Sequence, residues 1–387
     1  MYTIKTMNKI AKVGLDNFSA DYTVTEETAA PDAILVRSAS LHEMEIPASL
    51  KAIARAGAGT NNIPLDKCAE NGVVVFNTPG ANANAVKELV ITGMLLSSRK
   101  VIDAIDWAKT LKGKGDEVGK LVEKGKSQFA GPEIKGKTLG VIGLGAIGAL
   151  VANAAIDLGM NVIGYDPFLS VTGAFNLSSK VEYTSDLDKI FTSSDYITLH
   201  VPLTDKTRGV ICAESIAKMK DGVRILNFAR GELVSGDILE ALANEKVACY
   251  VTDFPNDAVI GEKGVIAIPH LGASTPESED NCAVMACREL MDYLENGNIV
   301  NSVNMPNLVL EPSSDIRICI IHKNEVAKIS AITTAVSDSK LNIENMANKS
   351  RGDYGYTVID VTGDVPAGFE DKLTALDGVI SARIIRK

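Results

Sequence analysis

The sequence predicts an α/β protein with two doubly wound parallel sheets and a C-terminal module of βαββαβ order. Short apolar runs alternate with helical patterns up to about residue 100 and again from Thr138, and such alternation is typical of parallel sheets. A stretch rich in Pro, Asn and Ser at 306–315 then predicts a linker. The 387 residues are too many for one ordinary core, so at least two domains are expected.

The N-terminal domain is predicted from three apolar strands that end in Gly, Pro, Asn or Ser. They are Ala33–Val36, Ala52–Ala56 and Val73–Phe76. Apolar residues then recur at helical spacing from Asn84 to Lys109, which predicts one long helix leaving this domain. The lysines that follow have no pattern, so they are interpreted as a solvated connector rather than an anion-binding patch.

A second series of strands and a different C-terminal pattern complete the predicted elements. The second series is Thr138–Ile142, Asn161–Tyr165, Tyr196–Leu199, Arg224–Phe228, Val247–Val251 and Val265–Ile268. The last part has strands at Ile316–Ile321, Leu341–Ala347, Gly355–Val361 and Ser381–Ile385, with helices at Glu325–Ser337 and Ala367–Leu376. The βαββαβ order of that last part is the ferredoxin-like pattern.

Composition excludes several function classes. The net charge of -10 repels nucleic acid and anionic membrane surfaces, so neither is expected as a partner. Six cysteines are scattered without metal-ligand spacing, and they are interpreted as reduced thiols with no bound metal. Because no signal peptide or membrane-spanning segment is recognisable, a cytoplasmic location is expected.

A glycine motif predicts the cofactor site. Gly143, Gly145 and Gly148 follow an apolar strand and open an apolar helix, and Asp166 ends the next strand. The first glycine allows a tight turn, the second lets the backbone approach a pyrophosphate, and the third lets helix and strand pack closely. Asp166 would accept hydrogen bonds from the ribose hydroxyls and repel a 2′-phosphate. A Rossmann domain that binds NAD rather than NADP is therefore predicted.

Hydride transfer to or from a secondary alcohol also needs a proton-transfer group and a cation for the substrate. Of four histidines, only His200 and His270 follow strands of the predicted nucleotide domain, so the acid/base is one of these two, if it is a histidine. Arg230 lies beside a glycine and can present a rigid fork to a carboxylate. Asp253 or Asp257 would orient the imidazole. Since ligands lie beyond the carboxyl ends of parallel strands, these residues are expected to share one crevice.

Three motifs together resemble the D-isomer-specific 2-hydroxyacid dehydrogenase family over about residues 30–305. They are Gly-Leu-Gly-Ala-Ile-Gly with Asp166, Asn-Phe-Ala-Arg-Gly-Glu-Leu-Val, and Pro-His-Leu-Gly-Ala-Ser-Thr. The resemblance implies that Arg230 binds the substrate carboxylate and that His270 is the acid/base. It also implies that Asp257, after a one-residue gap, stands for the family's glutamate.

The resemblance further implies the ligand contacts. For NAD they are Gly143, Gly145, Ala146, Ile147, Gly148, Asp166, His200, Val201, Pro202, Phe228, Ala229, Asp253, Gly272, Ala273 and Ala58. For the anionic substrate they are Arg37, Ser38, Gly59 and Asn82.

The expected domains follow from the same resemblance. Residues 1–95 with 285–308 would bind substrate, 96–284 would bind NAD, and 309–387 look like a regulatory ACT domain. His322, Asn324 and Asn342 stand where relatives bind an effector, so L-serine is a hypothetical effector; alternatively, the module is only a dimerisation surface. The apolar helix near 84–107 resembles the family's dimer-forming arm, and a homodimer or homotetramer is expected.

Three functions stay open at this point. The expected one is NAD-dependent oxidation of a small, anionic, phosphorylated 2-hydroxy acid. A glycerate, hydroxypyruvate or phosphoerythronate dehydrogenase on the same scaffold is the second. A third is an NAD-sensing binding protein without turnover, because a fold alone does not decide function.

Overall fold

The computed structural model describes residues 1–386, which form two compact units. One unit contains residues 1–82 and the chain from 276 onward, and the other contains residues 83–275. No helix within residues 1–386 has the length and apolar character needed to cross a bilayer. All six cysteines are free, and five of them are buried, as expected for reduced core thiols.

The N-terminal part of the first unit is a five-stranded parallel sheet. Its elements are β1 (Tyr2–Thr6), α1 (Lys12–Leu15), β2 (Tyr22–Thr25), β3 (Ala33–Val36), β4 (Ala52–Arg55), α2 (Leu65–Glu70) and β5 (Val74–Asn77). The strand order β2-β1-β3-β4-β5 is the flavodoxin-like arrangement. Strands β1 and β2 were not predicted, because polar residues interrupt their apolar pattern (YTIKT and YTVT).

The second unit has a seven-stranded parallel sheet with helices around it. Its elements are α3 (Ala83–Arg99), α4 (Val101–Lys109), α5 (Val118–Gly125), β6 (Thr138–Ile142), α6 (Ala146–Asp157), β7 (Asn161–Tyr165), α7 (Val171–Phe175), β8 (Glu182–Thr184), α8 (Leu187–Ser193), β9 (Tyr196–Leu199), α9 (Ala213–Lys218), β10 (Val223–Asn227), α10 (Asp237–Ala243), β11 (Val247–Thr252) and β12 (Val265–Ala267). The order β12-β11-β10-β9-β6-β7-β8 places the first strand, β6, between β9 and β7. This is the Rossmann order with one further strand at the edge.

The predicted single helix over 84–109 is wrong. Lys100 adopts a left-handed conformation (φ 47°) and separates α3 from α4. Helix α3 packs against α6, β10 and β11, which places it in the second unit rather than in the N-terminal domain where 1–95 had been expected. The unit boundaries therefore coincide with the starts of α3 and of the helix at Pro276.

The last part of the chain begins with a long helix and ends in an antiparallel sheet. Its elements are α11 (Pro276–Asn296), β13 (Ile316–Lys323), α12 (Lys328–Asp338), β14 (Asn342–Arg351), β15 (Tyr354–Thr362), α13 (Phe369–Thr374) and β16 (Val379–Arg386). The order β14-β15-β13-β16 confirms the predicted ferredoxin-like module. Helix α12 starts three residues later than Glu325 because Ala327 has a left-handed φ of 66°.

The C-terminal module and α11 are joined at the end of that helix. The guanidinium of Arg383 lies 4.1 Å over the Tyr293 ring and donates to the main-chain carbonyls of Tyr293 and Leu294. Arg317 donates to the carbonyl of Asn296 and forms a two-point ion pair with the fully buried Asp360. These cations donate to carbonyls of the last helical turn, where positive charge is favourable.

Candidate active site

The glycine turn between β6 and α6 has the geometry of a dinucleotide site. Gly143 has φ +95°, and a Cβ there would lie 2.5 Å from the His200 carbonyl oxygen. A Cβ on Gly148 would lie 1.9 Å from the Gly143 carbonyl oxygen, so that position must stay bare for the helix to pack. A Cβ on Gly145 would meet nothing within 4 Å. The open space lies at the N-terminus of α6, where Ala146 and Ile147 follow and main-chain amides favour an anion.

Asp166 lies at the carboxyl end of β7 beside this turn. Its Oδ2 accepts the Leu144 amide (2.9 Å) and its Oδ1 accepts the Phe168 amide (2.8 Å). Each carboxylate oxygen has a second lone pair, so the fixed carboxylate keeps capacity for ribose hydroxyls. The turn and Asp166 together fit the adenosine half of a dinucleotide.

Arg230 stands on a loop held from below by Asn227. The buried Asn227 amide donates to the Arg230 carbonyl (2.8 Å), and its Oδ1 accepts the Ala229 amide (3.2 Å). The Arg230 side chain is exposed, and within residues 1–386 its one hydrogen bond goes to the adjacent Ala229 carbonyl (2.6 Å). Its remaining N–H donors are available to an anion.

Phe254 brings Arg230 and His270 to one place. The Phe254 ring centroid lies 4.6 Å from that of His270, with the planes inclined by 47°. The Arg230 Cζ lies 5.9 Å from the same Phe254 centroid. Arg230 follows β10, Phe254 follows β11 and His270 follows β12, so three adjacent strands deliver these side chains to one edge of the sheet.

Asp253, rather than Asp257, interacts electrostatically with His270 and Arg230. Asp253 is 1% exposed, and its carboxylate Oδ2 accepts the Gly272 amide (3.3 Å). Burial raises the pKa of Asp253, while the charges of His270 and Arg230 act in the opposite direction. Asp257 is exposed and forms no hydrogen bond or ion pair with a residue of its own unit, all of which the structure describes. Of the two carboxylates considered, the structure therefore places Asp253 beside the imidazole.

His200 differs from His270 in its surroundings. Burial lowers the pKa of His200 to about 3, so the ring is neutral at physiological pH. Its Nε2 is within hydrogen-bond distance of the Thr198 hydroxyl (2.9 Å). His270 is exposed at the sheet edge. A ring that stays neutral is a poor proton carrier near pH 7, so His270 is the better candidate of the two.

Other predicted cofactor contacts lie along the same edge. Val201 and Pro202 follow β9, Ala229 follows β10, and Gly272 and Ala273 follow β12. Phe228 is 6% exposed, and a Cβ on Gly93 would lie 2.9 Å from its ring. The Phe228 side chain is thus part of the core, and only its main chain can face a ligand.

The predicted substrate residues gather at the carboxyl edge of the five-stranded sheet. Arg37 and Ser38 follow β3, Ala58 and Gly59 follow β4, and Asn82 follows β5. The Arg37 guanidinium contacts Glu279 Oε1 at 2.6 Å. Asn8 Oδ1 accepts the amides of Arg37, Ser38 and Ala39 at 2.9–3.1 Å, which fixes the loop.

The predicted effector residues are not gathered within one chain. Both His322 ring nitrogens bond internally: Nδ1 to the Lys323 carbonyl (2.7 Å), and Nε2 to Thr357 Oγ1 (3.0 Å) and Asn348 Oδ1 (3.2 Å). Asn324 donates to the Gly352 carbonyl. The sheet register pairs His322 with Gly355 and Asn342 with Thr362, at opposite ends of β15.

Two residues that build this edge were not predicted from the sequence. Asn227 and Phe254 both lie inside motifs that were noticed, one before Ala229 and the other after Asp253. A buried amide at a strand end is a usable signal for a loop anchor. The contact of Phe254 with two partners from other strands has no such local signal.

Comparison with known proteins places the chain in a family. Residues 91–272 match the sequence model of the D-isomer specific 2-hydroxyacid dehydrogenase NAD binding domain. A hydroxypyruvate reductase of Thermotoga maritima is 42% identical over 68% of this chain and 85% of its own length. The chain belongs to the D-isomer-specific 2-hydroxyacid dehydrogenase family, and its cofactor is NAD.

Two further relatives carry a more specific name. A D-3-phosphoglycerate dehydrogenase of Methanocaldococcus jannaschii is 35% identical over 80% of this chain, which spans 58% of that relative's length. The NAD+-bound 3-phosphoglycerate dehydrogenase of Entamoeba histolytica is 27% identical, with a TM-score of 0.61 over 79% of this chain and 99% of that one.

Proposed function

We propose that the protein oxidises D-3-phosphoglycerate to 3-phosphohydroxypyruvate with NAD+, the first step of L-serine biosynthesis. The observation that supports this most strongly is that Arg230 and His270 both contact the same Phe254 ring. A carboxylate held by Arg230 would bring the adjacent C2 hydroxyl of a 2-hydroxy acid toward the imidazole. The similarity to named phosphoglycerate dehydrogenases supports the choice of acid.

Each residue has a defined role in this proposal. Arg230 forms charge-assisted hydrogen bonds to the substrate carboxylate and polarises C2. His270 removes the hydroxyl proton, and the buried carboxylate of Asp253 stabilises the imidazolium that forms. Asp257 was expected in this role from the family resemblance, but its exposed position favours Asp253 instead. Bound NAD+ supplies the hydride acceptor.

The remaining residues bind and orient the ligands. Asp166 receives the ribose hydroxyls, and the amides that follow Gly145 receive the pyrophosphate. By the family resemblance, the loops with Arg37, Ser38, Gly59 and Asn82 are proposed as contacts of the anionic substrate. The side chains of Arg37 and Glu279 are each 43% exposed. An arriving anion therefore competes for the guanidinium with a weak, solvent-exposed ion pair.

A second candidate is reduction of hydroxypyruvate. The observation in its favour is the 42% identity to a hydroxypyruvate reductase, which exceeds the 35% identity to a phosphoglycerate dehydrogenase. The two candidates share Arg230, His270 and NAD, and they differ only in the group at C3.

The test is an assay of several substrates, with the change in NADH absorbance as the readout. D-3-phosphoglycerate, D-glycerate and 4-phospho-D-erythronate are assayed with NAD+, and hydroxypyruvate with NADH, each with and without millimolar L-serine. We expect the highest kcat/KM for D-3-phosphoglycerate. A preference for an unphosphorylated acid replaces this assignment by the second candidate. Tight NAD binding without turnover of any acid would instead support the third function, an NAD-sensing protein without catalytic activity.

We also propose a homodimer or homotetramer in the cytoplasm. Helices α4 and α5 contain no buried residue, and Val101, Ile102, Ile105 and Val118 are 36–51% exposed. Trp107 packs on Phe129 within this segment, which keeps it folded while its apolar face stays open.

L-serine remains the proposed effector of the C-terminal module, and the panel above tests it.

A further inference from the structure

We infer that Phe254 is a positioning residue, which holds the Arg230 guanidinium and the His270 imidazole at a fixed separation for the reaction. The inference rests on the proposed function. It assigns to this aromatic ring a role that is distinct from substrate contact, cofactor contact and proton transfer.

The backbone of Phe254 is fixed independently of its ring. Its amide donates to the Thr252 hydroxyl (3.0 Å), and Thr252 is fully buried at the end of β11. A Cβ built on Gly231 would lie 3.5 Å from Phe254 Cβ, which is ordinary van der Waals distance. The ring therefore starts from a rigid strand end, directly against the residue that follows Arg230.

The ring packs against two exposed side chains, those of Arg230 and His270. His270 and Arg230 are exposed, and the latter has one hydrogen bond, to its neighbouring carbonyl. Arginine carries large rotamer entropy, so an exposed guanidinium without a packing partner samples many positions. Contact with the Phe254 ring restricts both side chains at once.

The Phe254 ring also stabilises positive charge on the two side chains that it contacts. The face of an aromatic ring carries partial negative charge and attracts cations within about 6 Å of its centroid. The guanidinium is always cationic, and the imidazole becomes cationic when it accepts the hydroxyl proton. An aliphatic side chain of similar size would fill the space but would not stabilise the second charge.

The experiment compares Phe254→Leu, Phe254→Tyr and a matched control, Phe191→Leu. Phe191 is 3% exposed and belongs to another apolar cluster of the same unit, which contains neither Phe254 nor His270. The measurements are kcat and KM for the hydroxy acid from pH 6 to 10, the Kd for NADH by fluorescence, and the Tm.

Loss of the ring should change substrate affinity and the pH profile together. For Phe254→Leu we expect KM for the acid to rise about 3- to 10-fold, the size of one or two cation–π contacts, and NADH affinity to stay within twofold. The midpoint of kcat/KM against pH should move to lower pH, because the protonated imidazole loses a stabilising neighbour. Phe254→Tyr should restore both quantities, and Phe191→Leu should lower the Tm alone.

Two outcomes would overturn the inference. One is an unchanged KM and pH midpoint in Phe254→Leu. The other is a uniform loss of kcat, NADH affinity and Tm, as a purely structural residue would give. Failure of the proposed function is distinguished by the unmodified protein, which would then not prefer D-3-phosphoglycerate among the acids.

Discussion

The edge of the seven-stranded sheet and the C-terminal module use the same residue types in opposite ways. Arg230 and His270 are exposed and have few partners within their unit, whereas Arg317 and His322 are each 2% exposed. Arg317 is paired with Asp360, and both nitrogens of His322 are hydrogen-bonded internally. Because an unpaired group retains its capacity to bind and a paired one has already used it, residue type alone does not identify a site.

Matched substitution of the two histidines tests this contrast with the largest expected effect. His270→Leu should lower kcat roughly 10²- to 10⁴-fold through loss of proton transfer, with little change in Tm. His322→Leu should leave kcat unchanged and reduce the free energy of unfolding by about 1–3 kcal/mol, because buried hydrogen-bond partners lose their contacts. Steady-state kinetics and urea unfolding measure the two quantities. The contrast breaks if the two variants exchange phenotypes.

Two arginines extend the same test. Arg317→Met should reduce the free energy of unfolding by about 3–5 kcal/mol, since it leaves the Asp360 carboxylate buried without its cation. Arg230→Met should leave stability within about 0.5 kcal/mol and raise KM for the hydroxy acid.

The Arg317–Asp360 pair also predicts an acid dependence. Burial raises the pKa of Asp360, but hydrogen bonds and charge from Arg317 and the Ser313 donors outweigh it, and the net pKa is lowered. The stabilisation is thus complete above the ordinary Asp pKa of about 3.9, and it is lost as pH falls below that value. Urea unfolding at pH 7 and pH 3 should show a smaller loss in Arg317→Met than in the unmodified protein. An equal loss would mean that the pair does not set acid stability.

Two glycines give the smallest effects. A Cβ on Gly145 would meet open space, whereas a Cβ on Gly355 would lie 2.3 Å from His322 Cε1. Gly145→Ala should leave the Tm of the ligand-free protein unchanged and weaken NADH binding about tenfold. Gly355→Ala should destabilise by about 1–3 kcal/mol through overpacking and leave NADH binding intact. Thermal melts with and without NADH separate these results. A lower Tm of ligand-free Gly145→Ala would argue against open space at that position.

The features predicted correctly from the sequence are those whose residues lie close together in the chain. The glycine turn with Asp166 was found because strand, turn, helix and acid follow each other in sequence. The ferredoxin-like module was found from its βαββαβ order. Strand β8 (Glu182–Thr184) was not found, because its three residues, two of them exposed, carry no apolar periodicity.

The features that could not be predicted from the sequence depend on contacts between segments far apart in the chain. Nothing in the helical periodicity of 84–109 signals the left-handed Lys100 that divides it. The choice between Asp253 and Asp257 depends on burial and on the direction of side chains, which spacing along the chain does not determine. The internal bonding of His322 likewise requires Thr357, a residue on another strand.

The junction at the end of α11 makes the C-terminal module part of the first unit's folding rather than an attachment to it. Residues of α11 and of the module share one apolar cluster with the five-stranded sheet, including Leu294, Cys319 and Ile4. A chain shortened at 306–315 would uncover that cluster and remove the guanidinium groups that terminate the helix. Removal of this module would therefore also expose the final turn of α11.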